Sequence, residues 1–190
     1  MGHAGHRLEE SRKSRSFLAL GVDGRDLDLA VDVLVRSYDA VPVDLTQVLV
    51  EAMRRAAEQV GLPWDAVRAA DAAAAGSREA AGLSALVQRS LPAIDAAIEA
   101  AWVGVEDTVR PVLLLEAAPL ARYDHLASLS RWTDLTSARR QAVWLVVPQL
   151  LGSQGAVIGT RPLPLAAPGQ FLRLESDWLR TRPIAQGVSS

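Results

Sequence analysis

Arg110-Pro-Val-Leu-Leu-Leu-Glu116 and Gln141-Ala-Val-Trp-Leu-Val-Val-Pro148 are two short apolar runs that decide the fold, and an amphipathic segment, Ala118–Trp132, lies between them. A run that is apolar at every position has no face for water, which is typical of a strand buried on both sides. Two such strands joined by a helix form a right-handed βαβ unit with parallel strands. We therefore predict strands at residues 111–116 and 142–148, lying side by side.

The composition bounds the class of protein. The chain has 190 residues, 49% of them hydrophobic and 22% charged, which is typical of a globular domain. Its net charge of −2 gives no general attraction to nucleic acid or anionic lipid. It has no cysteine, so disulfides, thiol catalysis and cysteine-ligated metals are excluded. Because no apolar run reaches the length of a membrane span, we expect a cytoplasmic protein without membrane contact.

The remaining elements follow from periodicity and from breaker residues. We predict further strands at residues 16–22 and 41–43 and a short edge strand at 162–165, whose prolines exclude a central place. Helices are predicted at 25–38, capped by Asp23 or Asp26, and at 45–60, capped by Asp44. Residues 64–102 form an Ala-rich helical insertion that Pro92 splits. Residues 1–14 are expected to be a flexible basic lead-in and 181–190 a disordered tail.

These elements predict an α/β fold for residues 15–180, taken as a single domain. Its small, mainly parallel sheet would carry helices on both faces, a layout like that of a degenerate P-loop or Rossmann-like domain. Asp23 and Gly24 follow the first strand and Glu116 follows the third, where open α/β sheets place ligands. However, the Gly-Lys-Ser/Thr ending of a phosphate loop is absent, and Lys13 is the only lysine. We therefore expect no cofactor, and keep a degenerate nucleotide-binding domain as one alternative.

A second alternative is a DNA-binding module. Residues 45–73 resemble a helix-turn-helix, with Ala57, Gly61 and Val67 at the small, turn and apolar positions. The second helix of this pair contains one arginine and two aspartates, whereas a helix that faces phosphates normally carries more positive charge. Two packed core helices are the more ordinary interpretation.

The sequence contains no catalytic or metal-binding motif. His125 stands beside Asp124 and near Ser128, but no serine occupies a glycine-flanked elbow, so we infer no catalytic triad. His3 and His6 lack the third protein ligand that zinc usually has, so we predict no metal site. The five tryptophans are either core residues or, where exposed, parts of a partner surface.

Several stretches resemble the C-terminal region of the W-type kinase family of the phage growth limitation (BREX type 2) defence system, or the tail of a related defence-island ATPase. They are Ser14–Val22, Gly61–Asp71 with Gly76–Arg78, Pro111–Leu115 with Leu120–Tyr123, and Val143–Pro148 with Arg161–Leu165. The kinase motifs of that family, a Gly-rich loop and the catalytic and metal-binding aspartates, do not occur here.

The resemblance therefore implies a non-catalytic accessory domain that docks a protein partner, either other defence subunits or kinase domains. The residues that we single out as a ligand or partner surface are Asp23, Gly24, Glu116, Arg122, Trp144 and Arg161. The sequence leaves open whether Arg122 and Arg161 converge on an anion.

Overall fold

The computed structural model describes residues 3–74, 76–102, 110–149 and 155–181. Its strands are β1 (Phe17–Asp23), β2 (Val41–Asp44), β3 (Val112–Leu115), β4 (Val143–Gln149), β5 (Val157–Ile158), β6 (Arg161–Pro162) and β7 (Phe171–Leu174). Its α-helices are α1 (His3–Ser14), α2 (Leu27–Tyr38), α3 (Leu45–Gln59), α4 (Trp64–Asp71), α5 (Arg78–Ser90), α6 (Pro92–Ala100), α7 (Ala118–Arg122), α8 (Ser130–Thr133) and α9 (Ser176–Arg180). Single 3₁₀ turns cover Gly24–Asp26, Leu126–Leu129 and Pro168–Gln170.

The central sheet has five parallel strands in the order β2-β3-β4-β1-β7. The two runs that decide the fold are neighbours in it, with Leu113 opposite Trp144 and Leu114 opposite Leu145. All four of these side chains are fully buried. The predicted parallel pair and the α/β class are therefore confirmed.

Two layers cover the sheet because the crossovers run in opposite directions. The β1–α2–β2 crossover moves towards the β2 edge, whereas the later connections move back towards β7. Since such crossovers are right-handed, helices on outward and return paths lie on opposite faces. One core accordingly packs α3, α5 and α6 on Phe17, Val112 and their neighbours. The other packs α1, α2 and α9 on alternate residues such as Leu20 and Trp144.

Residues 3–14 form helix α1, so the prediction of a flexible lead-in at 1–14 is wrong where the structure describes it. Leu8 is fully buried in the α2 layer, and Ser11 is only 2% exposed. The Ser11 hydroxyl accepts a hydrogen bond from Trp144 Nε1 at 3.0 Å. The sequence hides this helix because its polar composition leaves only a few residues to contact the core. The predicted tail, apart from Thr181, lies outside the described residues.

The edge strand at the β1 side is β7, not the predicted 162–165 segment. Arg161–Pro162 instead pairs antiparallel with Val157–Ile158 in a separate hairpin. Pro162 and Pro164 lack the N–H groups that a longer ladder needs. Strand β7 alternates buried Leu172 and Leu174 with exposed Arg173, which suits a strand covered on one face.

The amphipathic segment between β3 and β4 is three short pieces, α7, a 3₁₀ turn and α8, and not one helix over Ala118–Trp132. Asp124 has a φ of 61°, the left-handed region that ends a helix. The apolar residues predicted for this segment still reach the core, where Leu120, Leu129 and Trp132 are buried.

The helix caps were predicted correctly at one site and wrongly at the other. The Asp44 carboxylate accepts a hydrogen bond from the backbone N–H of Gln47 at 2.9 Å at the start of α3. Neither Asp23 nor Asp26 caps α2 with its side chain. Asp26 is 5% exposed and instead accepts a hydrogen bond from Ser176, which connects the start of α9 to the 3₁₀ turn after β1. In the predicted insertion at 64–102, Pro92 separates α5 from α6 as expected.

Candidate functional site

The five tryptophans divide into buried and partly exposed groups. Trp144 is fully buried and Trp132 is 2% exposed, while Trp64, Trp102 and Trp178 are half-buried. Trp144 makes an edge contact with Tyr38, with ring centroids 5.5 Å apart. Its assignment to a partner surface is therefore wrong, because both faces of a central strand are covered.

An apolar corner, which we define as Val60, Leu62 and Trp64, projects where α3 meets α4. Val60 is 59% exposed and Leu62 41% exposed, and these values stand out because large apolar side chains are otherwise enclosed in most of the described chain. Gly61 has a φ of 67°, and the Leu62 N–H donates to the Ala57 carbonyl at 2.9 Å. This left-handed helix ending fixes the turn and leaves the apolar side chains on either side of Gly61 in solvent.

A cavity of about 320 Å³ opens beside the apolar corner. Its lining is mainly apolar and comes from α3, α4 and α5, with Trp64 as one wall; the main apolar contributors are Leu49, Met53, Val67 and Leu83. The guanidinium of Arg54 lies 4.9 Å from the ring centroid of Trp64. This is a cation–π contact, which stabilises the indole in its position in the cavity wall.

The polar side of this cavity is a three-residue network. Arg122 donates to one oxygen of Asp71 at 2.7 Å, and the Tyr123 hydroxyl donates to the other at 2.8 Å. Burial, together with the hydrogen bond to the negatively charged Asp71, raises the pKa of Tyr123 to about 12, and Arg122 opposes this effect. The phenol is thus a neutral hydrogen-bond donor across the physiological range.

The two candidate arginines do not converge on a shared anion. Arg122 pairs with Asp71, and Arg161 pairs with Asp124 at 2.7 Å. Each guanidinium therefore already has a carboxylate partner on a different element.

The residues predicted at the carboxyl ends of the strands lie on one edge of the sheet but do not form one site. Asp23 is the last residue of β1 and Gly24 follows it, whereas Glu116 follows β3, so β4 separates the two positions by about 10 Å at the usual strand spacing. Arg173 binds Asp23 at 3.3 Å. Glu116 has a φ of 55°, and its carbonyl accepts a hydrogen bond from the Thr46 hydroxyl at 2.8 Å.

Glu116 instead lines a second cavity, of about 460 Å³, that Asp23 and Gly24 do not reach. The other carboxylates at this cavity are Asp28, Asp32 and Asp44. Asp28 and Asp32 were not identified from the sequence, because only the crossover brings the first turns of α2 against the ends of β3 and β4. The one sequence feature that could have indicated them is the presence of acidic residues near the start of a predicted helix.

The structure contains no Ser-His-Asp arrangement among the candidates named from the sequence. The Ser128 hydroxyl donates to the backbone carbonyl of His125 at 2.7 Å. The Nε2 atom of His125 is buried without a hydrogen-bond partner in the described chain. Across residues 3–74, 76–102, 110–149 and 155–181, no group of three or more His, Asp or Glu is placed to hold a metal.

The helix pair predicted at 45–73 is present as α3 and α4. Val67 is buried, as a structural anchor would be. On the exposed side, Arg68 lies 3.6 Å from Asp65, which offsets its charge. DNA binding by this pair stays a prediction. No helix in the described part of the chain is both long and apolar enough to cross a bilayer.

Comparison with known proteins finds one distant similarity. The chain is 27% identical over 147 residues to a protein of Streptomyces coelicolor described as "Probable kinase PglW". The match covers 76% of this chain and 9% of that much longer protein. No protein-family model matches the chain, and no solved structure does. The predicted resemblance is thus confirmed as distant similarity to part of PglW, while the closer likeness to P-loop or Rossmann-like domains stays a prediction.

Proposed function

We propose that this chain is a non-catalytic protein-interaction module that works with a PglW-type kinase in defence against phage. The observation that carries the proposal is the apolar corner, where Val60 and Leu62 are 59% and 41% exposed. The proposed link to a kinase of this type is supported by the similarity to a small part of a much longer probable kinase.

The chemistry of the corner suits a protein interface. The free energy falls when a partner covers exposed aliphatic side chains and removes them from water. Within the corner, Trp64 already has a cation–π contact with Arg54, and tryptophan and arginine are enriched among residues that dominate binding energy. The adjoining cavity offers apolar walls to one or two anchoring side chains of a partner.

The sequence supports a docking role over catalysis. The chain lacks the Gly-rich loop, the catalytic aspartate and the metal-binding aspartate that phosphoryl transfer by a kinase requires. Its contribution would therefore be to position a kinase or another defence subunit.

The test is affinity capture from the native host, with three versions of the tagged chain as bait. One is wild type, and one is Val60→Asp/Leu62→Asp, which places charge in the apolar corner. The third is Leu135→Asp, a matched control, because Leu135 is 61% exposed but lines a different cavity. Captured proteins are identified and quantified by mass spectrometry.

The expected result is that a PglW-type kinase or another phage growth limitation protein is retained by wild type and by Leu135→Asp. The double variant should recover much less of it, while circular dichroism shows that its fold is intact. Equal recovery with all three baits would reject the corner as the interface. Recovery of no defence protein by wild type would reject the assigned role.

A further inference from the structure

We propose that the cavity at the carboxyl ends of β3 and β4 is a second docking site, which takes a basic peptide segment of a partner protein. The occupant is a short stretch in which an apolar side chain is flanked by lysine or arginine. This site shares no lining residue with the cavity beside the apolar corner.

The position of the cavity follows from the topology. The connection that leaves β1 runs over one face of the sheet, and the one that leaves the adjacent β4 runs over the other. Open α/β sheets bind ligands outside the carboxyl ends of their strands, and this cavity lies at that edge, beside the point between β1 and β4 where these two connections diverge. Here Val146 and Pro148 of β4 form part of the wall, and Leu27 and Val31 of α2 face them.

The charge of the cavity selects a cationic occupant. Asp28, Asp32, Asp44 and Glu116 all line it, and no lysine or arginine among the described residues does. Two of these carboxylates already have partners within the chain. Asp32 lies 3.3 Å from the guanidinium of Arg36, and Asp44 accepts a hydrogen bond at the start of α3. Within the described part of the chain, the side-chain carboxylates of Asp28 and Glu116 have no hydrogen-bond or ion-pair partner.

A phosphate-bearing ligand does not fit this arrangement. The start of α2 would attract an anion, but Asp28 already places a carboxylate in that first turn. A nucleotide would also meet Glu116 on the opposite wall without a neutralising cation from the lining residues. Like charges within such a crevice oppose binding.

A simple cation does not fit either. The carboxylates come from three elements, α2, the end of β2 and the end of β3, around an apolar floor that includes Leu115 and Ile158. No three of the acidic groups in the described chain converge closely enough for a metal ion. Separate acidic positions around apolar walls match a ligand with separate positive charges and an apolar centre. A peptide segment provides both, and the volume of about 460 Å³ holds a few of its side chains.

The test is a selection from a library of short random displayed peptides on the purified chain, followed by fluorescence anisotropy with the most enriched peptide. The expected peptides contain two or more lysines or arginines around a leucine, isoleucine, valine, methionine or phenylalanine. Raising NaCl from about 50 to about 300 mM should weaken their binding, because the contacts are partly exposed ion pairs.

Variants then locate the site. Asp28→Lys/Glu116→Lys should reduce affinity about tenfold or more, and the neutral pair Asp28→Asn/Glu116→Gln should give a smaller loss. The matched control is Glu10→Lys/Glu58→Lys, which makes the same change in net charge at exposed carboxylates outside this cavity and should bind as wild type does.

Three results would overturn the proposal: no enriched peptide, enriched peptides without basic residues, or equal loss of affinity in the crevice and control variants. If circular dichroism shows that the lysine variant is unfolded, the neutral variant Asp28→Asn/Glu116→Gln still tests the proposal. The Val60→Asp/Leu62→Asp variant should bind the selected peptide normally, so failure of this proposal is distinguishable from failure of the proposed function.

Discussion

Removing the Ser11 hydroxyl should destabilise the whole fold, because this group is the hydrogen-bond acceptor of the buried indole of Trp144. The two atoms are 3.0 Å apart, and both residues are almost fully enclosed. In Ser11→Ala the indole N–H would be buried without a partner, which costs about 1 to 3 kcal/mol. For a chain of this length that corresponds to a fall in Tm of about 2 to 12 °C.

The backbone hydrogen bonds near Ser11 do not depend on its side chain, so they do not contribute to the expected loss of stability. The Ser16 carbonyl, which accepts a hydrogen bond from the Ser11 hydroxyl, also accepts one from the Val143 N–H at 3.2 Å, and the substitution does not remove that second donor. The loss in Ser11→Ala therefore reports mainly the unpaired indole.

Thermal and urea unfolding, followed by circular dichroism, measure this effect. The matched control is Ser14→Ala on the same helix, where the hydroxyl is exposed and the cost should be under about 0.5 kcal/mol. In a Trp144→Phe background, Ser11→Ala should cost clearly less, because no indole N–H is left to satisfy. Equal effects of Ser11→Ala and Ser14→Ala would refute the reasoning, as would an unchanged cost in the Trp144→Phe background.

Three further predictions concern stability. Leu114→Ala empties a fully buried position in β3 and should lower the free energy of unfolding in urea by about 2 to 5 kcal/mol; a loss under about 1 kcal/mol would contradict its central place. Asp44→Ala removes the cap that accepts from the Gln47 N–H and should cost about 1 kcal/mol, whereas Asp44→Asn should restore most of it. The pKa of Tyr123 rises from its ordinary 10 to about 12 in the folded chain, so the unfolded chain loses the phenol proton first and stability should fall as pH rises from about 10 to about 12. Unfolding measured across that range should show a smaller decline in Tyr123→Phe, and identical pH profiles would contradict the shift.

The central sheet was predictable because its strands carry a strong local signal. Residues 112–115 and 143–147 are apolar at consecutive positions, and burial on both faces is the simplest way to satisfy such a run. The handedness of crossovers then limits the arrangement of the layers. Local chemistry also predicted the Asp44 cap and the break at Pro92.

The elements that the sequence analysis missed depend on contacts between distant residues. Helix α1 is polar along most of its length, and it is held by Leu8 and by the bond from Trp144 to Ser11. No local pattern reveals that partner. Strand β7 has only four residues. Its place at the edge of the sheet follows from pairing with β1, and so short a segment does not specify its partner strand by itself.

The candidate site was predictable only in part, for the same reason. Glu116 was identified from its place after a buried strand, and it does line a cavity. Trp144 was assigned to a partner surface although its strand was predicted to be buried on both faces, and the strand prediction is the one that the structure confirms. The apolar corner could be identified only from the structure, in which the end of α3 at Gly61 leaves Val60 and Leu62 exposed to solvent.

Hydrogen–deuterium exchange, measured on the chain alone and bound to the partner recovered by affinity capture, tests directly whether the apolar corner is a docking surface. Exchange should slow on binding at residues 57–67, where the end of α3, the turn and the start of α4 carry the corner, and should not change around Leu135. Protection confined to other segments, with residues 57–67 exchanging at the same rate in both states, would contradict this docking role.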